Sequence, residues 1–225
     1  MTKNFKVRLS VSLFLLVLAA VLIFTFDSVP FKIFFGMFAL VAAMELMSFF
    51  TRKVTIYNIV LAVIEVACLV ASTVIVAKFG LIEIILLIFG VCGYDVFAYL
   101  FGNGMGGVFF GKARPFPHVS KNKTWEGTVM GLVTSFLLTG IIILISGGPR
   151  IFLLAGPLAL VGDLFESHLK RQFGVKDSNE IVIKKPLFQK LEMLVGGGEG
   201  HGGYLDRIDS MAFTGAVLLL IAAIL

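Results

Sequence analysis

The sequence predicts an all-α, polytopic integral membrane protein with about seven transmembrane helices and polar cytoplasmic loops. Three observations predict it. The 225 residues are 58% hydrophobic with a mean hydropathy of +1.00, more apolar than a water-soluble domain of this length. The apolar residues gather in segments that reach the roughly 20 residues a bilayer span requires. Lysine and arginine collect in alternate connections, as the positive-inside rule requires of a multi-pass chain. The whole chain, 1–225, reads as one integral membrane domain without a soluble domain, low-complexity tail or internal repeat.

Seven segments follow in order: 9–26, 30–50, 57–77, 80–101, 127–146, 151–169 and 208–225. The first follows a basic N-terminus. It is long and no small-residue cleavage site follows it, so it reads as an uncleaved anchor. The last is short and overlaps a charged motif. With the N-terminus in the cytoplasm, sixteen of the nineteen Lys and Arg residues lie inside, and only Lys32, Lys78 and Arg150 lie outside. The net charge of +5 therefore belongs mostly to the cytoplasmic face, where it also attracts anionic headgroups and nucleotides. No nucleic-acid partner is expected. Cys68 and Cys92 fall within spans and offer neither metal spacing nor a disulfide framework.

Several acidic residues lie in or beside these spans: Glu45, Glu65, Glu83, Asp95, Asp163 and Glu166. An ionisable group at membrane depth usually faces the bundle or a cavity. For Glu45, Glu65 and Glu83 the structural role is the commoner one. Asp95 and Asp163 sit near the cytoplasmic ends of their spans. Asp163, Glu166, Ser167 and Lys170 recur at helical spacing and form a polar stripe, which reads as one wall of a polar cavity.

Two polar loops, 102–126 and 170–207, face the same side in this topology and can build one site. In the second, His201, Gly202 and Gly203 precede a helix start, where flexible backbone N–H groups approach a phosphate. Asp206 and Asp209 are three apart, so a helix sets both carboxylates on one face, an arrangement suited to a divalent cation completed by phosphate oxygens. Arg207 adds a planar phosphate donor. Upstream, Ser167, Lys170, Arg171, Lys176 and Asp177 combine cations, a hydroxyl and a carboxylate. Interfacial snorkelling accounts for the cations but not for Ser167 or Asp177. In the first loop, Ser120, Lys123 and Thr124 offer hydroxyls and a cation. Trp125 suits an interfacial anchor, and Glu126 either caps the following helix or aligns a lysine. The glycine-rich stretch 102–112 lacks the P-loop spacing and the strand–helix context of a dinucleotide fold.

SHLKRQFGVKDS (167–178) with GHGGYLDRIDS (200–210) resembles the signature of the CDP-diacylglycerol synthases, or phosphatidate cytidylyltransferases. SKNKTWEG (120–127) is similar to that family's Ser-Pro-Lys-Lys-Thr-Trp-Glu-Gly element, with Lys121 and Asn122 in place of Pro and the first Lys. Asp95, Ala98 and Tyr99 match its upstream Asp-x-x-Ala-Tyr. The likeness runs from about 90 to 215, the expected catalytic region. Two departures stand out: residues 179–198 intervene where the family has a short link, and Glu199 replaces a proline. The insert suits a short amphipathic helix on the membrane surface. The chain is also shorter than many members, as if it lacked N-terminal spans.

The resemblance implies the reaction of CTP with phosphatidate to give CDP-diacylglycerol and pyrophosphate. It further implies Mg²⁺ held by Asp177, Asp206 and Asp209, a monovalent cation such as K⁺, and a homodimer. Lys170, Arg171, Lys176 and Arg207 would stabilise the leaving group or the lipid headgroup. Ser120, Lys123, Thr124, Ser167, His201, Gly202 and Gly203 would bind substrate. A CTP-dependent polyprenol kinase is the rival among enzymes; a CDP-alcohol phosphotransferase lacks its DGxxAR element here. A transporter would place its charges near the midplane, often with pseudo-repeats, whereas these gather at one face.

Overall fold

The computed structural model describes residues 55–175 and 205–224, with single helical positions between 32 and 46; for 75–76 and 205–208 it describes the backbone alone. The expected span 9–26 and most of 30–50 lie outside the described residues. Five α-helices follow: α1 (Ile56–Lys78), α2 (Leu81–Met105), α3 (Trp125–Ser146), α4 (Ala155–Gln172) and α5 (Leu205–Ile224). A 3-10 turn, Arg150–Leu154, leads into α4. Among the described residues every regular element is helical. Four stretches are long and apolar enough to cross a membrane: Ile56–Val74, Leu81–Met105, Trp125–Ser146 and Arg150–Gln172. Asp209–Ile224 is a shorter apolar helix. With this composition, the chain is an integral membrane protein.

The helix ends follow local chemistry. Thr55 Oγ1 accepts the Asn58 N–H at 3.2 Å at the start of α1. Glu83 Oε2 accepts the Gly80 N–H at 2.6 Å, so this acid closes the first turn of α2, as its structural reading anticipated. Thr124 Oγ1 accepts the Gly127 N–H at 3.1 Å and caps α3. Gly174 ends α4 with φ of +69°, which lets the Val175 N–H reach back to the Lys170 carbonyl at 3.0 Å. Pro157 explains the 3-10 lead-in. Its ring would clash with the Leu153 carbonyl in a continuous α-helix, but it is tolerated in the first turn of α4.

Small residues bring the helices together, as expected where lipid supplies no hydrophobic drive between them. Gly127 on α3 meets α2 so closely that an added Cβ would lie 2.4 Å from the Ala98 carbonyl oxygen. Ser135 Oγ donates to the Gly90 carbonyl at 2.7 Å across the same pair. Ile84, Leu87, Tyr94, Phe152, Ala159 and Leu218 form one buried cluster; Leu46, Leu61, Leu69, Leu169 and Ala212 form another. In contrast, Val129, Val133, Phe136, Leu137 and Leu144 of α3 are exposed, as a lipid-facing stripe requires.

Successive helices alternate in direction. Tyr57 at the start of α1 meets His168 near the end of α4, with Oη and Nε2 3.1 Å apart. Asn58 Nδ2 donates to the Gln172 carbonyl at 3.4 Å. Gly162 of α4 lies against Asp209, Ser210 and Phe213 near the start of α5. The loop 106–124 joins the end of α2 to the start of α3. Both polar loops therefore leave from the same end of the bundle.

Candidate active site

The loop between α2 and α3 is built on one carboxylate. Glu126, only 5% exposed, accepts the backbone N–H groups of Gly107, Phe109 and Phe110 at its Oε1, each at 3.0 Å. Among the described residues no lysine pairs with it. Instead it holds the glycine-rich segment against the helix entrance. Local spacing carried no sign of this, because the partners are backbone groups 16 to 19 residues upstream. Ser120 is half-buried, with its N–H on the Phe116 carbonyl at 2.9 Å. Thr124 is buried and its hydroxyl oxygen serves the cap of α3.

Lys123 crosses from this loop to α4, where its Nζ forms an ion pair and hydrogen bond with Asp163 Oδ2. The ammonium also lies 5.5 Å from the centre of the Tyr94 ring on α2. Burial disfavours its charge. The Asp163 carboxylate, its hydrogen bond, Tyr94 and Asp95 together outweigh that and hold the Lys123 pKa above the ordinary lysine value. Ser167, one turn further along α4, donates its hydroxyl to Asp163 Oδ1 at 3.4 Å.

The polar stripe on α4 is real and continues inward. Lys170 pairs with Glu166 at 2.6 Å, and both are buried. Buried Glu65 on α1 lies within the field of the same lysine. Arg171 is exposed and its Nη1 donates to the Val175 carbonyl at 2.9 Å, bracing the turn after α4. Asp209 on α5 is 6% exposed and interacts electrostatically with Asp163, Asp95 and Lys170. Asp95 and Asp163 keep more open surface than Asp209.

The structure thus brings Lys123, Ser167, Lys170 and Asp209 to one end of the bundle, and adds Asp95, Tyr94, Asp163 and Glu166, which the sequence-based site did not include. The signal of the three acids was present in the charges at membrane depth and in the α4 stripe; no sequence pattern marked Tyr94. Asp206 and Arg207 lie on α5 one turn or less before Asp209, as the helical reading of that spacing requires, with their side chains outside the description. Lys176, Asp177, His201, Gly202 and Gly203 lie outside the described residues, as does the 179–198 insert.

Among the described residues no three acidic, histidine or cysteine side chains converge as a closed metal cage. Mg²⁺ usually takes one or two carboxylates plus substrate phosphates; of the described carboxylates Asp209 could hold such an ion, whereas both oxygens of Asp163 already meet Lys123 and Ser167.

The profile of the Cytidylyltransferase family matches residues 59–183, more than half of the chain. The chain belongs to the cytidylyltransferase family. It is 36% identical over 152 residues to the phosphatidate cytidylyltransferase of Brucella melitensis, an alignment covering 65% of this chain and 48% of that protein. It is 40% identical over 141 residues to that of Helicobacter pylori strain J99, covering 60% and 45%. Phosphatidate cytidylyltransferase 4, chloroplastic, of Arabidopsis thaliana is 34% identical over 145 residues, covering 61% and 32%. The chain spans about half the length of the bacterial relatives it matches. The family match takes in α2, the Glu126-clamped loop, the Lys123–Asp163 pair and all of α4.

Proposed function

We propose that this cytidylyltransferase acts on phosphatidate, converting it with CTP to CDP-diacylglycerol and pyrophosphate. The observation that carries this reading is the Lys123–Asp163 pair. It ties the α2–α3 loop to the polar stripe of α4 beside Asp209, at the end of the bundle from which both polar loops leave. There a nucleotide from water and a headgroup from lipid can meet.

In that reaction a phosphatidate oxygen attacks the α-phosphorus of CTP. A new P–O bond forms as the bond between the α-phosphorus and its bridging oxygen breaks, and pyrophosphate leaves opposite the nucleophile. The attacking oxygen is already anionic, so no strong general base is needed. Alignment and charge neutralisation carry the catalysis. Lys123, kept charged by Asp163, offers its ammonium to phosphate oxygens. Asp163, itself bonded by the Ser167 hydroxyl, holds that ammonium at the lipid border. Lys170, Arg171, Lys176 and Arg207 serve the leaving group or headgroup, and Ser120, Thr124, His201, Gly202 and Gly203 border the substrates. Mg²⁺, held by Asp209, Asp206 and Asp177, would neutralise phosphate charge; K⁺ is proposed as an accompanying cation.

The site is proposed to face the cytoplasm in a homodimer whose N-terminus is cytoplasmic. The described loop cations support that orientation: Lys112, Arg114, Lys121 and Lys123 lie at the site end, against Lys78 and Arg150 at the other. Separate incubations with CTP labelled in its cytidine or in its γ-phosphate test the reaction. Cytidine label in the lipid is expected. Lipid carrying only the γ-label would mean a kinase and defeat the proposal.

A further inference from the structure

The α2–α3 loop displays three consecutive large apolar side chains outside the helical spans: Val108, Phe109 and Phe110 are 67%, 71% and 52% exposed. Such a cluster in a polar connection marks a contact surface. It is not a floppy tip. The Phe109 and Phe110 N–H groups both end on Glu126 Oε1, and the Val108 N–H bonds to the Met105 carbonyl at 3.0 Å. The apolar groups are therefore presented by a backbone anchored to the first turn of α3.

What covers them is indicated by their neighbours. The Phe110 ring centre lies 6.0 Å from that of Trp125, the sole tryptophan and itself exposed. Trp125 in turn heads the outward stripe of α3 that continues through Val129, Val133 and Leu137. The tip thus extends a lipid-facing surface without a break. Exposed Lys112 follows Phe110 by two residues and exposed Lys121 precedes Trp125 by four. Aromatic residues beside lysines at the end of a span are the composition of a bilayer interface carrying anionic headgroups.

We propose that Val108, Phe109 and Phe110 form a preformed wedge inserted at the headgroup–acyl boundary of the host bilayer, with Glu126 as its positioning residue. The wedge sets the depth of the loop that carries Lys123. This assignment does not depend on the reaction proposed above, and its test reads no activity.

The test places one reporter at the tip: Phe109→Trp in a Trp125→Phe background, with Val108→Trp as a second position. The full chain is reconstituted in phosphatidylcholine vesicles containing phosphatidylglycerol. Strong quenching by lipids brominated near the glycerol end of the acyl chain is expected, with weaker quenching by deeply brominated lipids and little by aqueous iodide. Quenching by iodide alone would place the tip in water and overturn the proposal. Quenching by neither would overturn it too, since protein, either residues 176–204 or a second copy, would then cover the tip. In the Phe109→Trp background, Glu126→Ala is expected to shift quenching from lipid to iodide. Glu126→Gln, which keeps an acceptor oxygen, is expected to preserve the lipid pattern. No change in Glu126→Ala would remove Glu126 from the account.

Discussion

Lys123 and Asp163 are 40 positions apart and sit on different elements, yet each is the other's charged partner. An ion pair at a half-buried site has consequences beyond a surface salt bridge, because removing one partner strands the other. In Lys123→Ala, Asp163 would face Asp95 and Asp209 without its cation. A thermodynamic cycle of Lys123→Ala and Asp163→Asn, read by thermal unfolding in detergent, is therefore expected to show coupling of about 0.5–3 kcal/mol. Strict additivity would contradict the pairing. At the same scale, Asp209→Asn is expected to lower cytidylyl transfer by at least about 100-fold, the usual size of losing one electrostatic stabiliser of the transition state, here the cation Asp209 would hold, with little change in unfolding midpoint. A wild-type rate in Asp209→Asn would remove that carboxylate from the site.

The helices were largely legible in the sequence because apolar length decides them. Segments 57–77, 80–101 and 127–146 became Ile56–Lys78, Leu81–Met105 and Trp125–Ser146. The differences have local causes. Gly102, Asn103 and Gly104 looked like loop, but α2 runs through them, and Gly102 packs against Thr124 and Gly127 of the α3 entrance. The segment 151–169 is broken near its start because Pro157 forbids a continuous α-helix through Leu153. The Glu126 clamp was not legible, since no side-chain pattern marks three backbone donors.

Two predictions belong to these elements. Gly127→Ala would drive a methyl into the Ala98 carbonyl and is expected to cost about 1–3 kcal/mol in thermal stability. An unchanged midpoint would show that α2 and α3 do not meet so closely. Thr124→Ser keeps the cap oxygen and is expected to unfold like the wild type, whereas Thr124→Val is expected to lose about 1 kcal/mol. Equal midpoints for the two would argue against the cap.

At the scale of the whole molecule, the alternating helices bring residues far apart in sequence to one end. Lys123, Asp163 and Asp209 meet because α2 and α4 run towards that end while α3 and α5 run away from it. The sequence indicated this through its charge asymmetry and the repeated side of its two polar loops. The distances within the cluster had to come from packing. With Cys68 and Cys92 replaced by alanine, Lys112→Cys is expected to react with an impermeant maleimide only from the cytoplasmic face. Arg150→Cys is expected to react only from the other. The opposite pattern would reverse the proposed orientation.

The most direct measurement of the central claim is the product formed by purified, reconstituted protein from CTP and phosphatidate. The account predicts CDP-diacylglycerol with stoichiometric pyrophosphate, abolished by chelation of Mg²⁺ and reduced in Lys123→Ala and Asp209→Asn. Formation of no cytidine-bearing lipid, across phosphatidates of different acyl chains, would contradict it.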